Sequence, residues 1–260
     1  MADRRRGIYL LPNLFTTSAL FAGFYAIIAA IDGRFEAAAI AIFVAMILDG
    51  LDGRIARLTN TQSDFGVQYD SLSDLISFGL APSLLIYQWS LFNLGKLGWS
   101  AAFIYAAAAA LRLARFNTQA GTQDKRYFQG LASPASAALI AGMVWLGDSY
   151  GMSDNRLAVI FTLPMTVIAG ALMVSNIRYS SFKQIDLKGR VPFVAIMILV
   201  LVFFLFSSNP PLALTAVAVI YASSGPVITL LTLRKHRASR KPVEEGTSRL
   251  ESDETDKDHL

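Results

Sequence analysis

The sequence predicts an all-α, polytopic membrane bundle, and three observations carry that prediction. Of 260 residues, 54% are hydrophobic and only 16% are charged, against about 25% charged in a soluble domain, and the mean hydropathy is +0.46. The apolar residues come in runs of about 17–25, the length that crosses a bilayer as a helix. Basic residues gather in alternate gaps between those runs, as the positive-inside rule requires of cytoplasmic loops.

Taken in order, spans are expected at about 14–31, 35–57, 68–90, 98–117, 131–147, 155–176, 190–207 and 210–233, eight in all. The last two are separated at Asn209, where Pro210 and Pro211 cannot continue a helix and mark a tight turn. With the N-terminus inside, the inner ends collect Arg4, Arg5, Arg6, Arg54, Arg57, Arg112, Arg115, Lys125, Arg126, Arg178, Lys183, Lys188, Arg190 and the tail's basic residues. Of 23 lysines and arginines, only Arg34, Lys96 and Arg156 fall outside. Both termini are therefore expected in the cytoplasm. Residues 1–233 form one integral membrane domain. Residues 234–260, first basic and then acidic with little apolar content, form a tail expected to be disordered. The basic N-terminus precedes no short apolar core with a small-residue cleavage site, so a cleaved signal peptide is not expected.

Composition also excludes several chemistries. There is no cysteine, so disulfides and thiolate metal sites are out. The two histidines, His236 and His259, both lie in the tail, which leaves the bundle without an imidazole. No compact basic fold with interleaved aromatics points to nucleic acid.

What the bundle does have is acid where acid is expensive. Asp49 and Asp52 follow the run AIAIFVAMIL near the end of the second span, and Asp70 and Asp74 open the third. A carboxylate at such a position is costly and marks a functional site. Asp49 and Asp52 are three apart, about 60° around a helix, with Gly53 and Ala56 on the same face to leave room for a neighbour. Asp70 and Asp74 are four apart, again on one face. A short cytoplasmic link over 58–67 brings both pairs to one depth. Four converging carboxylates need cations, and hard oxygen ligands without nitrogen or sulfur favour Mg²⁺, Mn²⁺ or Ca²⁺. Four suffice to bridge two ions about 3.5–4 Å apart, an arrangement used on phosphorus centres. Asp64 is expected to be a helix-end charge.

The stretch Asp49-x-x-Asp52-Gly53-x-x-Ala56-Arg57, eight residues, then Gly66-x-x-x-Asp70-x-x-x-Asp74 resembles the signature of the CDP-alcohol phosphatidyltransferases, with every fixed position filled. LPNLFTTSALFAGF, from Leu11, is similar to the start of that family's first span. LRLARFN at 111–117 and FQGLASPASAA at 128–138 are similar to its serine-using branch, with Ala132 standing where that branch usually has proline. The resemblance implies a six-helix catalytic core plus two C-terminal spans, which support the core or a homodimer contact. It implies transfer of a phosphatidyl group from CDP-diacylglycerol to the hydroxyl of L-serine, with release of CMP. By the same resemblance Asp49, Asp52, Asp70 and Asp74 hold two divalent ions, Mg²⁺ or Mn²⁺, and Asp74 is the general base. Asn13, Thr16, Asp52, Gly53, Ala56, Arg57 and Gly66 would face the nucleotide, Gly66 by letting the linking turn pass close to it.

Arg112 and Arg115, beside Asn117, are the candidates for the serine carboxylate, and their bland alternative is to stop a span at the interface. Pro134 is expected to kink and open the fifth span beside the site. The membrane implied is the bacterial cytoplasmic (inner) membrane, with the site facing the cytoplasm and the lipid tails left in the bilayer. A same-family enzyme using glycerol phosphate or inositol phosphate shares the acidic signature. A transporter would explain intramembrane acids but not the Gly-Ala-Arg spacing.

Overall fold

The computed structural model describes residues 3–59, 61–119, 127–152, 156–180 and 207–231. Among them are seven helices: α1 (Asp3–Ile31), α2 (Phe35–Thr59), α3 (Asp64–Leu94), α4 (Lys96–Gln119), α5 (Ser133–Ser149), α6 (Arg156–Val174) and α7 (Pro210–Leu231). Two short strands, β1 (Tyr127–Gln129) and β2 (Arg178–Ser180), pair antiparallel, with Tyr127 opposite Ser180 and Gln129 opposite Arg178.

The eight-span, six-plus-two arrangement does not hold. Among the described residues, four helices are long and apolar enough to cross a membrane: Pro12–Ile31, Asp64–Leu94, Lys96–Gln119 and Pro210–Leu231. The expected second span, α2, is 25 residues long but carries Glu36, Asp49, Asp52, Arg54 and Arg57, too many charges for a purely apolar crossing. The fifth, α5, has 17 residues, about 26 Å of helix against a hydrocarbon core of about 30 Å. The sixth keeps only the shorter apolar stretch Ala158–Val174. The seventh, 190–207, lies almost wholly outside the described residues, as does the tail. The inference that both termini share the cytoplasmic side rested on the eight-span count and is dropped with it. The chain remains an integral membrane protein with an all-α body.

Packing is close because the facing residues are small. Ala26, Ala29 and Ala30 of α1 and Ala38, Ala39, Ala41 and Ala45 of α2 are all buried, so the two backbones approach as membrane helices do at small-residue seams. Phe78, Leu85 and Ile86 of α3, Tyr105 of α4 and Ile140 of α5 fill the centre and are fully buried. α3 starts at Ser63, whose Oγ accepts the Gly66 N–H at 3.1 Å, with Asp64 in the first turn where the helix dipole favours an acid. It stops at Gly95, whose φ of 54° suits a residue without a Cβ. Within it the turns widen to π geometry at Leu75–Leu80 and Tyr87–Leu91, the first directly after Asp74.

Two turn expectations fare differently. Asn209 does mark the start of α7, its Oδ1 accepting the Leu212 N–H at 3.2 Å. Pro134, however, does not kink α5. It sits in the first turn, where a missing N–H costs nothing, and so begins the helix. The strand pair had no counterpart in the sequence reading. It ties the segment before α5 to the segment after α6, and a Cβ on Gly130 (φ 76°) would collide with the Met173 carbonyl there.

Candidate active site

α2 and α3 bring their acids together at one end of the bundle. One carboxylate oxygen from each of Asp49, Asp70 and Asp74 lies within 4.8 Å of the other two. At that separation each pair of charges repels by roughly 3–4 kcal/mol at an effective dielectric constant of about 20. Three pairs together approach the net stability of a typical domain, about 5–15 kcal/mol. A bound cation would relieve that repulsion. Asp70 Oδ1 is buried without a hydrogen-bond partner, which is what a ligand atom for a cation looks like when protein groups do not satisfy it. An all-carboxylate donor set suits a hard divalent ion. The residues present fit such an ion.

Asp52 is placed differently. It is 5% exposed and its Oδ2 accepts the Thr16 hydroxyl at 2.7 Å, outside the three-residue cluster. Two further hydroxyls lock α3 against α1: Ser73 Oγ donates to the Thr16 carbonyl at 3.2 Å and Ser77 Oγ to the Ala19 carbonyl at 3.0 Å. They occupy successive turns of α3 and fix the rotation of the helix that presents Asp70 and Asp74.

A cleft of about 410 Å³ opens between α1, α2 and the start of α3. Its walls include Asn13, Thr16, Asp52, Gly53, Ala56, Arg57, Gly66 and Asp70. A Cβ on Gly53 would meet only Arg57 Nη1, at 3.9 Å, so the space above Gly53 is open to a ligand. Gly66 is not in the linking turn as expected. It lies in the first turn of α3, where a Cβ would press on Ser63 Oγ at 3.2 Å. Thr61, Gln62 and Ser63 also line the cleft. Sequence reasoning missed them because the link carries no periodic pattern.

The α4 residues stand apart from this cleft and differ from one another. Arg112 lies within electrostatic range of Asp74. Its Nη1 donates to Ser133 Oγ at 2.7 Å, while its Nε is buried without a hydrogen-bond partner. Arg115 Nη1 donates to the Val174 carbonyl at 3.0 Å and to Asn176 Oδ1 at 3.3 Å, which places it on the last carbonyls of α6. Asn117 Nδ2 donates to Ser71 Oγ at 3.0 Å, tying the end of α4 to α3. Ser133 and Ser71 were not singled out from sequence, since a lone serine on a helix carries no signal of its own.

Comparison with known proteins agrees with this geometry. A sequence model described as CDP-alcohol phosphatidyltransferase matches residues 9–168. A CDP-diacylglycerol–serine O-phosphatidyltransferase of Helicobacter pylori is 42% identical over 196 residues, covering 75% of this chain and 82% of that protein. Proteins of the same description from Methanocaldococcus jannaschii and Bacillus subtilis are 38% identical over 141 residues (54% of this chain, 62% of that protein) and 33% identical over 174 residues (67% and 92%). The family match runs from the cleft through both acidic helices and into α6, over more than half of the chain, and the protein therefore belongs to the CDP-alcohol phosphatidyltransferase family.

Proposed function

We propose that the protein transfers the phosphatidyl group of CDP-diacylglycerol to the hydroxyl of L-serine, giving phosphatidylserine and CMP. The observation that carries this reading is a cleft lined by Asp52 and Asp70, where Asp70 has an unsatisfied buried oxygen and clusters with Asp49 and Asp74. Serine as the acceptor is supported by the Helicobacter, Methanocaldococcus and Bacillus relatives, whose descriptions name it.

In this reading Asn13, Thr16, Gly53, Ala56, Arg57 and Gly66 hold the cytidine diphosphate, with the open face of Gly53 giving it room and the planar fork of Arg57 meeting phosphate oxygens. Asp49, Asp70 and Asp74, with Asp52 beside them, would hold two divalent ions, Mg²⁺ or Mn²⁺. When bound, such ions neutralise the charge of a pyrophosphate and its leaving group. The serine oxygen forms a bond to the phosphorus that carries the diacylglycerol, the bond from that phosphorus to the CMP oxygen breaks, and CMP leaves with the electron pair. Asp74 takes the serine hydroxyl proton. Arg112, with an unused Nε donor near Asp74, receives the serine carboxylate. Arg115 holds the end of α6 in place.

In this reading the protein sits in the bacterial inner membrane with the site facing the cytoplasm. Arg54, Arg57, Arg112 and Arg115 lie at the site end, and Arg34 and Lys96 at the other, the bias expected of a cytoplasmic face.

The test is CMP release by purified protein supplied with CDP-diacylglycerol and a panel of alcohols: serine, ethanolamine, glycerol 3-phosphate and inositol phosphate. Release is expected with serine alone. Equal release with another alcohol and none with serine would move the enzyme to a different branch of its family.

A further inference from the structure

α3 has two parts with different tasks. The first presents Asp70 and Asp74 to Asp49. The second packs Phe78, Leu85 and Ile86 into the core, all fully buried. Where the two meet, at Leu75–Leu80, the turns widen to π geometry. The sequence supplies a reason. In an α-helix the Phe78 carbonyl would accept from the N–H of residue 82, four positions on. Residue 82 is proline, which has no N–H. The Ala81 N–H reaches back five residues, to the Ile76 carbonyl, as π bonding does.

Inside a membrane bundle, a carbonyl that has lost its helical donor is satisfied by an altered turn or by a side chain from a neighbouring helix. Both devices are present here. Tyr105 of α4, fully buried, donates its hydroxyl to the Phe78 carbonyl at 3.2 Å. The two helices are close at this point, since a Cβ on Gly79 would press on the Ala109 Cβ of α4 at 3.1 Å. From the other side, Ser77 Oγ donates to the Ala19 carbonyl of α1 at 3.0 Å, and a Cβ on Gly23 would lie 2.7 Å from the Ser77 Cα. The π turn is thus held from α1 and from α4. Its phase matters to the site. A π turn carries an extra residue, and closing it to α geometry would rotate the two parts of α3 by about 100° against each other, the angle of one residue. The core fixes the second part, so the rotation would fall on Asp70 and Asp74.

We propose that Tyr105 is a positioning residue for the acid cluster: its hydroxyl takes the carbonyl that Pro82 leaves without an α-helical donor, holds the π turn that follows Asp74, and so keeps Asp70 and Asp74 turned toward Asp49. The proposal rests on the reading that these three acids hold divalent ions.

The experiment measures Mn²⁺ binding to purified full-length protein in detergent, from the electron paramagnetic resonance signal of the free ion, for wild type, Tyr105→Phe and Tyr179→Phe. Phenylalanine at 105 keeps the ring and its packing and removes only the hydroxyl. Tyr179→Phe is the matched control. Its hydroxyl is also buried and also donates to a backbone carbonyl, that of Ala222 at 3.0 Å, but on α7. Both variants are expected to lower the melting temperature slightly. The Mn²⁺ Kd is expected to rise about 3- to 10-fold in Tyr105→Phe, the scale of one lost hydrogen bond, and to stay within about two-fold in Tyr179→Phe. In a Pro82→Ala background the N–H restored at position 82 serves the Phe78 carbonyl, so adding Tyr105→Phe should change the Kd by less than about two-fold. An unchanged Kd in Tyr105→Phe, an equal rise in Tyr179→Phe, or an undiminished effect in the Pro82→Ala background would overturn the proposal. A wild-type protein that binds no Mn²⁺ would sink the cation reading by itself. The same set of variants read on CMP release then decides on Tyr105: a loss there and not at Tyr179 supports the positioning role, and equal effects overturn it.

Discussion

On the flank formed by α1, α2 and α3, the polar groups come from consecutive helices and from a short stretch of sequence. On the flank formed by α4 and α5, they come from residues 112 and 133, and only the tertiary fold brings them together. The first flank has an open cleft and a cluster of carboxylates. The second has a buried cation with one anchor and one unused donor. The difference matches a division of chemistry. In the proposed reading the first flank holds the nucleotide and its cations with a rigid local motif. In the same reading the second flank meets the acceptor alcohol with walls that can change without disturbing that motif.

The largest effect that would sharpen this comparison is on Asp74. Asp74→Asn keeps the size of the side chain and removes the proposed base. Turnover should fall by roughly 10²- to 10⁴-fold, while CDP-diacylglycerol binding, measured separately, falls much less. A variant with near wild-type turnover would place the base elsewhere and break the assignment of Asp74 to the acceptor hydroxyl.

Next comes Arg112. Removing one charged partner from a buried pair costs about 2–5 kcal/mol, or roughly 30-fold and upward in the serine requirement. Arg112→Ala should therefore raise the serine KM by at least that factor with little change in the KM for the lipid. Arg112→Lys should recover only part of the loss, since a point charge replaces the fork. Full recovery with lysine would mean that the arginine serves membrane orientation rather than acceptor binding.

The smallest effect is on Arg115, one helical turn away. Its guanidinium caps the Val174 carbonyl and holds Asn176, so Arg115→Ala should cost about 1 kcal/mol of stability and lower the melting temperature slightly. The serine KM should stay unchanged. A large rise in serine KM at Arg115 would merge the two arginines into one clamp and remove the distinction drawn between them.

The two flanks were also unequally legible from sequence. Asp49, Asp52, Asp70 and Asp74 stand out because an acid in an apolar run is expensive, and helical spacing alone shows which of them share a face. That reasoning joined all four in one group. It could not see that the Thr16 hydroxyl takes up Asp52 Oδ2, because that bond crosses between helices. The arginines illustrate the same limit. Arg112 and Arg115 are three apart on one helix and look equivalent in sequence, and only their partners on α5 and α6 separate them. The count of spans failed for a related reason. Hydropathy marks α2 as an apolar run up to Asp49, but the charges that make it the site helix also remove it from the set of plain membrane crossings.

The central claim is that the cluster of Asp49, Asp70 and Asp74 works by holding divalent cations against the lipid's pyrophosphate. The most direct test is serine-dependent CMP release by purified protein stripped of divalent ions, with residual metal measured, followed by graded addition of Mg²⁺ or Mn²⁺. Release should vanish on stripping and return on addition, and Asp70→Asn should weaken the metal dependence of that return. Full turnover in protein shown to be free of divalent metal would contradict the account.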